Sequence, residues 1–167
     1  MTTAATRAIE LVRRAGVEHR VHAYRPAERH GSARRGRPAY GAEAAAALGI
    51  EPERIYKTLV VRVDDRLVLA VVSVAGELDL KRLADAVGGR RAELAEHPVA
   101  ERATGYVIGG ISPLGSRRAL TVVLAAGAAA HTTIFVSAGR RGLQLELAPA
   151  DLARLAGAAL AHIERDL

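Results

Sequence analysis

The stretch IYKTLVVRVDDRLVLAVVSV, residues 55–74, decides the fold prediction. Residues 55–63 and 67–74 are two runs rich in β-branched side chains, and the pair Asp64-Asp65 lies between them. This pattern predicts a β-hairpin. Helices and further strands follow in mixed order along the rest of the chain. The sequence therefore favours an α+β fold, with a mixed, mostly antiparallel sheet that curls or closes into a barrel and is surrounded by helices.

Lys57 is the unusual residue of this hairpin. The period-2 rule places it on the same strand face as aliphatic side chains. The chain has only 2 lysines among its 24 basic residues, so this lysine does not follow from composition. A compact ammonium on a flexible stem suits a phosphate or a hydroxyl at a narrow pocket. The alternative is a lysine near a strand end whose ammonium reaches water.

Further elements are predicted on both sides of the hairpin. Glycine or proline marks most of their ends, as is typical of helix caps and turns. Helices are predicted at residues 3–15, 41–48, 79–87 and 149–158, with a short one beginning at His97-Pro98. Strands are predicted at residues 17–24, 121–124, 132–137 and 143–147.

Length and composition bound the class of protein. A chain of 167 residues predicts a single domain, residues 1–167. The absence of cysteine excludes a disulfide framework, a thiolate nucleophile and a Cys-ligated zinc site. Without a signal peptide or a long apolar run, the expectation is a soluble cytoplasmic protein with no membrane partner. No Walker loop or dinucleotide fingerprint is present, and we expect no cofactor and no metal.

A second informative stretch is TGYVIGGISPLG, residues 104–115, with four glycines and one proline in twelve residues. Its central part, Gly109-Gly110-Ile111-Ser112-Pro113, can turn tightly and present consecutive backbone N–H groups to an anion or a developing oxyanion. The alternative is a plain glycine-rich connection. Ser112 does not lie in a Gly-x-Ser-x-Gly motif, so it is not expected to be a nucleophile.

Positive charge is concentrated in residues 25–37, which contain five arginines and one acid. Tyrosines flank this segment on both sides, so it could hold phosphates and stack on a base of single-stranded nucleic acid. The alternative is a solvated arginine-rich loop. The candidate tRNA-binding residues are Arg25, Arg29, Arg34, Arg35 and Arg37.

Several motifs together resemble the YbaK family of free-standing aminoacyl-tRNA deacylases, relatives of the editing insertion of bacterial prolyl-tRNA synthetases. The resemblance runs nearly end to end, and it implies a cytosolic proofreading enzyme with that family's fold. The motifs that carry it are YKTL at residues 56–59, VAGELDLK at 74–81, TGY at 104–106, GGISPLG at 109–115, RGL at 141–143 and EL at 146–147.

The resemblance also implies residue roles. Lys57 matches the pocket lysine that is expected to hold the terminal adenosine and its phosphate. Gly109 and Pro113 match the ends of a Gly-x-x-x-Pro loop whose backbone contacts the aminoacyl carbonyl. At the position of Gln144 the nearest relatives carry an acid, so this chain departs from them there. The substrate-binding positions implied are Tyr24, Tyr40, Thr58, Ser137 and Gln144.

The implied substrate is mischarged Cys-tRNA(Pro), whose own thiol is thought to attack the ester carbonyl in this branch of the family. Such a reaction would explain why the sequence offers no obvious general base. The resemblance implies aminoacyl-tRNA as the partner and allows a transient complex with prolyl-tRNA synthetase. Two alternatives stay open: an Ala-tRNA(Pro) deacylase, and a non-catalytic module that binds tRNA or a synthetase through the arginine-rich segment.

Overall fold

The computed structural model describes residues 5–26 and 40–166. The prediction of an α+β fold is confirmed, because helices and strands alternate irregularly and the strands form mixed sheets. The helices are α1 (Arg7–Ala15), α2 (Tyr40–Leu48), α3 (Leu80–Ala86), α4 (His97–Thr104) and α5 (Pro149–Ala156). The strands are β1 (His19–Ala23), β2 (Tyr56–Val63), β3 (Arg66–Ser73), β4 (Ala92–Leu94), β5 (Thr121–Ala125), β6 (Ile134–Ser137), β7 (Leu143–Leu147) and β8 (Ala159–Ala161).

The predicted hairpin is the centre of a five-stranded sheet with the order β4-β2-β3-β5-β8. Strands β2 and β3 pair antiparallel, with Tyr56 opposite Ser73 and Asp64-Asp65 at the turn. Strand β4 adds antiparallel to β2, whereas β5 and β8 add in parallel beyond β3. The sequence did not predict β4 and β8, because three residues without a β-branched side chain give no periodic signal.

Strands β1, β7 and β6 form a second, antiparallel sheet in the order β1-β7-β6. Among the described residues, one parallel bridge between Ile55 and Phe135 joins it to the larger sheet. The two sheets therefore do not form a closed barrel, and that part of the fold prediction is wrong. A single bridged pair cannot continue the ladder of hydrogen bonds that closure requires.

Two predicted helices are shorter in the structure, one at its start and one at its end, and the capping residues explain why. The helix expected at residues 3–15 begins at Arg7, because Thr6 is its N-cap and its hydroxyl accepts a 3.1 Å hydrogen bond from a first-turn amide. The helix expected at residues 149–158 ends before Gly157, which has a left-handed φ of 62°. The residues that follow are then free to pair as β8.

The main core packs α1, α3 and α5 against the larger sheet and the inner face of the smaller one. A second cluster consists of Ala44, Ala45, Ile55 and Phe135, and it packs α2 against the junction of the two sheets. This junction is where the candidate site lies. Across the described residues, no helix combines the length and hydropathy that are needed to cross a bilayer.

Candidate active site

A cavity of about 420 Å³ lies where the two sheets and α2 meet. This volume falls in the range of small-molecule sites, roughly 300–1,000 Å³. Strand β2, the smaller sheet, α2 and the glycine-rich loop all contribute to its wall. Eight residues that the sequence analysis named line the cavity: Tyr24, Tyr40, Lys57, Thr58, Gly109, Ile111, Ser137 and Gln144. The structure therefore brings together segments that are up to 120 residues apart in the chain, Tyr24 and Gln144.

Lys57 is half-buried in the cavity wall. Its Nζ lies 3.4 Å from the carbonyl oxygen of Gly76, which accepts a long hydrogen bond from it. Most of the neighbouring wall is aliphatic, including Leu59 and Val74. An ammonium in this setting can donate further hydrogen bonds to a phosphate or hydroxyl that enters the cavity.

Ile108, Gly109 and Ile111 form the part of the wall that comes from the glycine-rich loop. The φ of Gly109 is 96°, a backbone conformation that glycine adopts without strain. Among the hydrogen bonds of the described residues, none uses the amide of Gly109 or Ile111, whereas Gly110 donates to the carbonyl of Val107 over 2.8 Å. The two remaining amides are therefore candidates for binding an oxyanion.

The glycine-rich loop is held in place by contacts with two helices and by a hydrogen bond within the loop itself. The Ile108 amide donates to the Glu101 carboxylate of α4 over 2.8 Å. The Tyr106 hydroxyl donates to the Leu114 carbonyl over 2.7 Å. Arg7 of α1 donates to loop carbonyls at both ends of the segment, over 2.8 and 2.9 Å. A loop fixed in this way pays little reorganisation cost when a charge develops beside it.

Three predicted residues of this loop support the wall without lining the cavity. A Cβ on Gly110 would lie 2.8 Å from the Arg140 Cα, so glycine is needed for the close approach of two loops. Ser112 is fully buried, and its Oγ accepts a 3.2 Å hydrogen bond from the Leu114 amide. Pro113 is also buried. Their positions favour a structural role for all three.

Helix α2 covers one side of the cavity through Tyr40, whose ring packs against the loop. A Cβ on Gly109 would lie 2.9 Å from carbons of this ring. The Arg141 guanidinium lies 5.3 Å from the ring centroid and binds both carboxylate oxygens of Glu43, over 3.0 and 2.7 Å. This two-point ion pair ties α2 to the loop between β6 and β7.

The smaller sheet presents a polar face to the cavity. Ser137 lies opposite Gln144 in the β6–β7 register, so both side chains point to the same face. Burial raises the pKa of the neighbouring Tyr24 hydroxyl, although the Gly142 amide acts in the opposite direction. Within the described part of the chain, Gln144 Oε1 and Thr58 Oγ1 are buried and have no hydrogen-bond partner. A ligand with N–H donors would satisfy these two acceptors.

Residues 37–155 match the model of the aminoacyl-tRNA editing domain family. The chain belongs to this family. The match includes Tyr40, Lys57, the glycine-rich loop and Gln144, so it covers most of the candidate site. The resemblance that the motifs indicated is thereby confirmed, and so is the prediction of an aminoacyl-tRNA editing enzyme.

Similar proteins agree with this assignment. The chain is 38% identical over 160 residues to an Enterococcus faecalis protein named "Putative Cys-tRNA(Pro)/Cys-tRNA(Cys) deacylase EbsC", covering 95% of this chain and 92% of that protein. A crystal structure of "a putative trans-editing enzyme for prolyl tRNA synthetase" is 25% identical, with a TM-score of 0.81 and 99% of both chains covered. A scaffold protein used for epitope backbone grafting is 24% identical, with a TM-score of 0.82 over both whole chains, and shows the same fold.

Among the described residues, two titratable residues of the cavity wall, Tyr56 and His97, were not predicted as site residues. His97 is exposed at the start of α4, and its side chain lines the cavity. In the sequence it marks only the start of a short helix, because a single histidine before a proline carries no spacing signal. The amide of Ala95 donates to the carbonyl of Val60 over 2.9 Å, and this contact brings the start of α4 beside β2.

Of the predicted tRNA-binding arginines, the structure describes Arg25, which is not among the residues that line the cavity. Arg25 is exposed and directly follows the cavity residue Tyr24. The other four, Arg29, Arg34, Arg35 and Arg37, lie outside the described residues. A role for this segment in binding tRNA therefore stays a prediction.

Proposed function

We propose that this editing domain, as a single cytoplasmic domain, hydrolyses the ester of mischarged Cys-tRNA(Pro) in trans. The observation that carries the proposal is the convergence of Lys57 and the Gly109–Ile111 backbone on one cavity. This pair would provide one cation and two amides to an acyl group bound in the cavity. The similarity to the E. faecalis protein, whose name includes Cys-tRNA(Pro), supports the choice of substrate.

The cavity wall suggests how the aminoacyl end is seated. The Lys57 ammonium would hold the terminal phosphate or ribose at the mouth, and the amides of Gly109 and Ile111 would bind the ester carbonyl. The unpartnered acceptors of Thr58 and Gln144 would take hydrogen bonds from the α-ammonium of the substrate. Because Gln144 is neutral, it would bind this ammonium through a hydrogen bond without an ion pair.

The reaction that this arrangement favours uses the thiol of the substrate itself. The cysteinyl sulfur attacks its own ester carbonyl, an S–C bond forms, and the C–O bond to the ribose then breaks. The thiol proton passes to the departing ribose oxygen, and a four-membered thiolactone is released. Water opens this ring to give free cysteine. Holding sulfur and carbonyl close is worth an effective molarity of about 10⁵ M or more, so the protein need only orient the ester and stabilise the oxyanion.

Chemistry, rather than the size of the cavity, would select cysteine. A cavity of about 420 Å³ also has room for alanine or serine. Alanine has no nucleophile, and the serine hydroxyl is a much weaker one than a thiolate. An Ala-tRNA(Pro) deacylase would need another base for water, and His97 is the cavity residue that could take that role.

Single-turnover deacylation of tRNA(Pro) charged with Cys, S-methyl-Cys, Ala, Ser and Pro tests the proposal. We expect fast release of Cys alone, because S-methylation removes the nucleophile. Lys57→Ala should lower the rate by roughly 100-fold or more, whereas Lys81→Ala, the matched control at the other lysine, should not change it. Equal rates for Cys and S-methyl-Cys would refute the thiol mechanism, and stable Cys-tRNA(Pro) under enzyme excess would refute the substrate.

We further propose that Arg25, Arg29, Arg34, Arg35 and Arg37 bind the tRNA acceptor end, and that prolyl-tRNA synthetase can join in a transient complex. Filter binding of uncharged tRNA(Pro) to a variant with these five arginines changed to glutamine should show weaker binding and a shallower salt dependence. Binding that depends on the arginines in a protein without deacylase activity would favour the non-catalytic module. Adding the synthetase should raise kcat/KM if the complex forms.

A further inference from the structure

The Lys57 amine is linked to the C-terminal segment through one short turn. Its hydrogen-bond acceptor, the Gly76 carbonyl, belongs to the turn that follows β3, where the Gly76 amide donates to the Ser73 carbonyl over 3.0 Å. On the other side of this turn lies Glu164, a half-buried residue that follows β8. The turn therefore separates the catalytic cavity from a carboxylate.

Glu164 contacts the turn in two ways. Its Oε2 accepts a 3.0 Å hydrogen bond from the Ser73 amide. The same oxygen would lie 2.5 Å from a Cβ on Gly76, so the carboxylate packs directly against this glycine. Together these contacts fix the start and the end of the turn whose carbonyl faces Lys57.

The segment that carries Glu164 is itself held to the chain beyond the turn. The Asp79 amide donates to the Ile163 carbonyl, and the Arg165 amide donates to the Glu77 carbonyl, each over 2.8 Å. Leu78 and Glu164 form an antiparallel bridge between these two hydrogen bonds. The backbone of Glu164 is therefore held by a short antiparallel ladder. The position of its carboxylate does not depend on side-chain contacts alone.

A second cavity, of about 400 Å³, lies on the Glu164 side of the turn. Ser73, Gly76 and Glu164 line it, and Tyr56 contributes to the walls of both cavities. Residues of this turn thus line both cavities, Val74 the first one and Ser73 and Gly76 the second. Other contacts also hold this segment: the Val74 amide donates to the Ile55 carbonyl over 2.8 Å, and the Ser73 hydroxyl donates to the Pro52 carbonyl over 3.3 Å. Glu164 is the side chain that packs against Gly76 itself.

We propose that Glu164 is a positioning residue for the deacylation reaction: by holding the turn at residues 73–76, it places the Gly76 carbonyl that orients the Lys57 amine. This inference rests on the proposed function for its catalytic consequence. Its structural part, the effect of Glu164 on Lys57, can be measured without substrate.

The test uses the fact that the chain has only two lysines, Lys57 and Lys81. Brief acetylation followed by peptide mass spectrometry compares their reactivity in the wild type, Glu164→Ala and Glu164→Gln. In Glu164→Ala we expect the ratio of Lys57 to Lys81 labelling to rise about twofold or more, because the loosened turn frees the amine. Glu164→Gln keeps an oxygen acceptor for the Ser73 amide and should retain the wild-type ratio.

Glu77→Ala is the matched control, since this acid lies beside Gly76 but its side chain is 71% exposed and pairs with the exposed Arg165. It should leave both the labelling ratio and the deacylation rate unchanged. In Glu164→Ala the single-turnover rate at saturation should fall by about 10- to 100-fold, as for a group displaced by up to 1 Å. The concentration that gives half the maximal rate should change little.

An unchanged labelling ratio in Glu164→Ala, or an equal change in Glu77→Ala, would overturn the inference. If wild-type protein deacylates none of the charged tRNAs, the proposed function fails, yet the labelling ratio still decides the positioning role. If Glu164→Ala does not fold, Gly76→Ala decides instead. Its methyl group would displace the carboxylate, so Lys57 labelling must rise if the inference is correct.

Discussion

Gly109 is the position at which one added methyl group tests the packing of the active site. Its φ of 96° strains any L side chain, and a Cβ there would lie 2.9 Å from carbons of the Tyr40 ring. Gly49, which follows α2, has a φ of 67° but no atom within 4 Å of its Cβ position. Gly109→Ala therefore adds strain and a steric clash, whereas Gly49→Ala adds strain alone.

The two contributions can be separated by magnitude. Positive-φ strain costs about 1–2 kcal/mol for alanine, and a forced contact in a packed region costs about 1–3 kcal/mol more. We therefore expect Gly49→Ala to lower the free energy of unfolding by about 1–2 kcal/mol and Gly109→Ala by about 2–5 kcal/mol. In a Tyr40→Ala background the clash disappears, so Gly109→Ala should there cost only the strain.

Urea denaturation followed by circular dichroism, on the three single variants and the Tyr40→Ala/Gly109→Ala double variant, measures these differences. Deacylation is then measured on the folded variants, and Gly109→Ala should be slower than the wild type by about 10-fold or more because its amide and Tyr40 are displaced. Gly49→Ala should keep the wild-type rate. The packing would be refuted if Gly109→Ala cost no more than Gly49→Ala, or if removal of the Tyr40 ring gave no relief. A wild-type rate in Gly109→Ala would refute the proposed amide site.

Three further predictions concern charge and pH. Arg141→Lys loses the two-point contact with Glu43. The free energy of unfolding, measured by thermal denaturation, should therefore fall by about 1–3 kcal/mol. For Glu146, burial raises the pKa, but hydrogen bonds and nearby positive charge lower it overall. Its contribution to stability is therefore present above the ordinary value of 4.5 and is lost as the pH falls through the lower folded value. When urea denaturation is repeated at falling pH, the free energy of unfolding of Glu146→Gln should therefore decrease less than that of the wild type. Burial, together with the charge of Glu164, raises the pKa of Tyr56 to about 12 from 10.0. Stability should therefore fall as the pH rises from 10 towards 12, and Tyr56→Phe should lack this component.

The parts of the fold that were predicted correctly are those with a strong local signal. The hairpin at residues 55–74 has two long β-branched runs and a two-residue turn, so its pairing follows from sequence alone. The short strands Ala92–Leu94 and Ala159–Ala161 have no such signal, because they become strands only by adding to the edges of a sheet. The parallel pairing of β3 with β5 is also non-local and gives no pattern along the chain.

The candidate site shows the same division. Lys57 was identified because a lysine is unusual on an aliphatic strand face, and Gly109 because several glycines cluster around it. His97 could not be identified, because its place in the wall depends on where α4 begins in space. At Gly110 the missing side chain makes room for the Arg140 backbone, a packing requirement that has no signal in the local sequence.

No local sequence signal explains why Lys57 and Gly109 line the same cavity. Strand β2, which carries Lys57, pairs with β4 through three residue pairs, among them Val61 with Leu94. The chain then turns into α4, and α4 leads directly into the glycine-rich loop, so these three pairs and the length of one helix help to set the position of Gly109, together with the contacts of the loop with Arg7 and Glu101. A strand of three residues, Ala-Glu-Leu, therefore helps to bring the cation and the amides of the editing site to one cavity, although its sequence has no β-branched residue that would predict a strand.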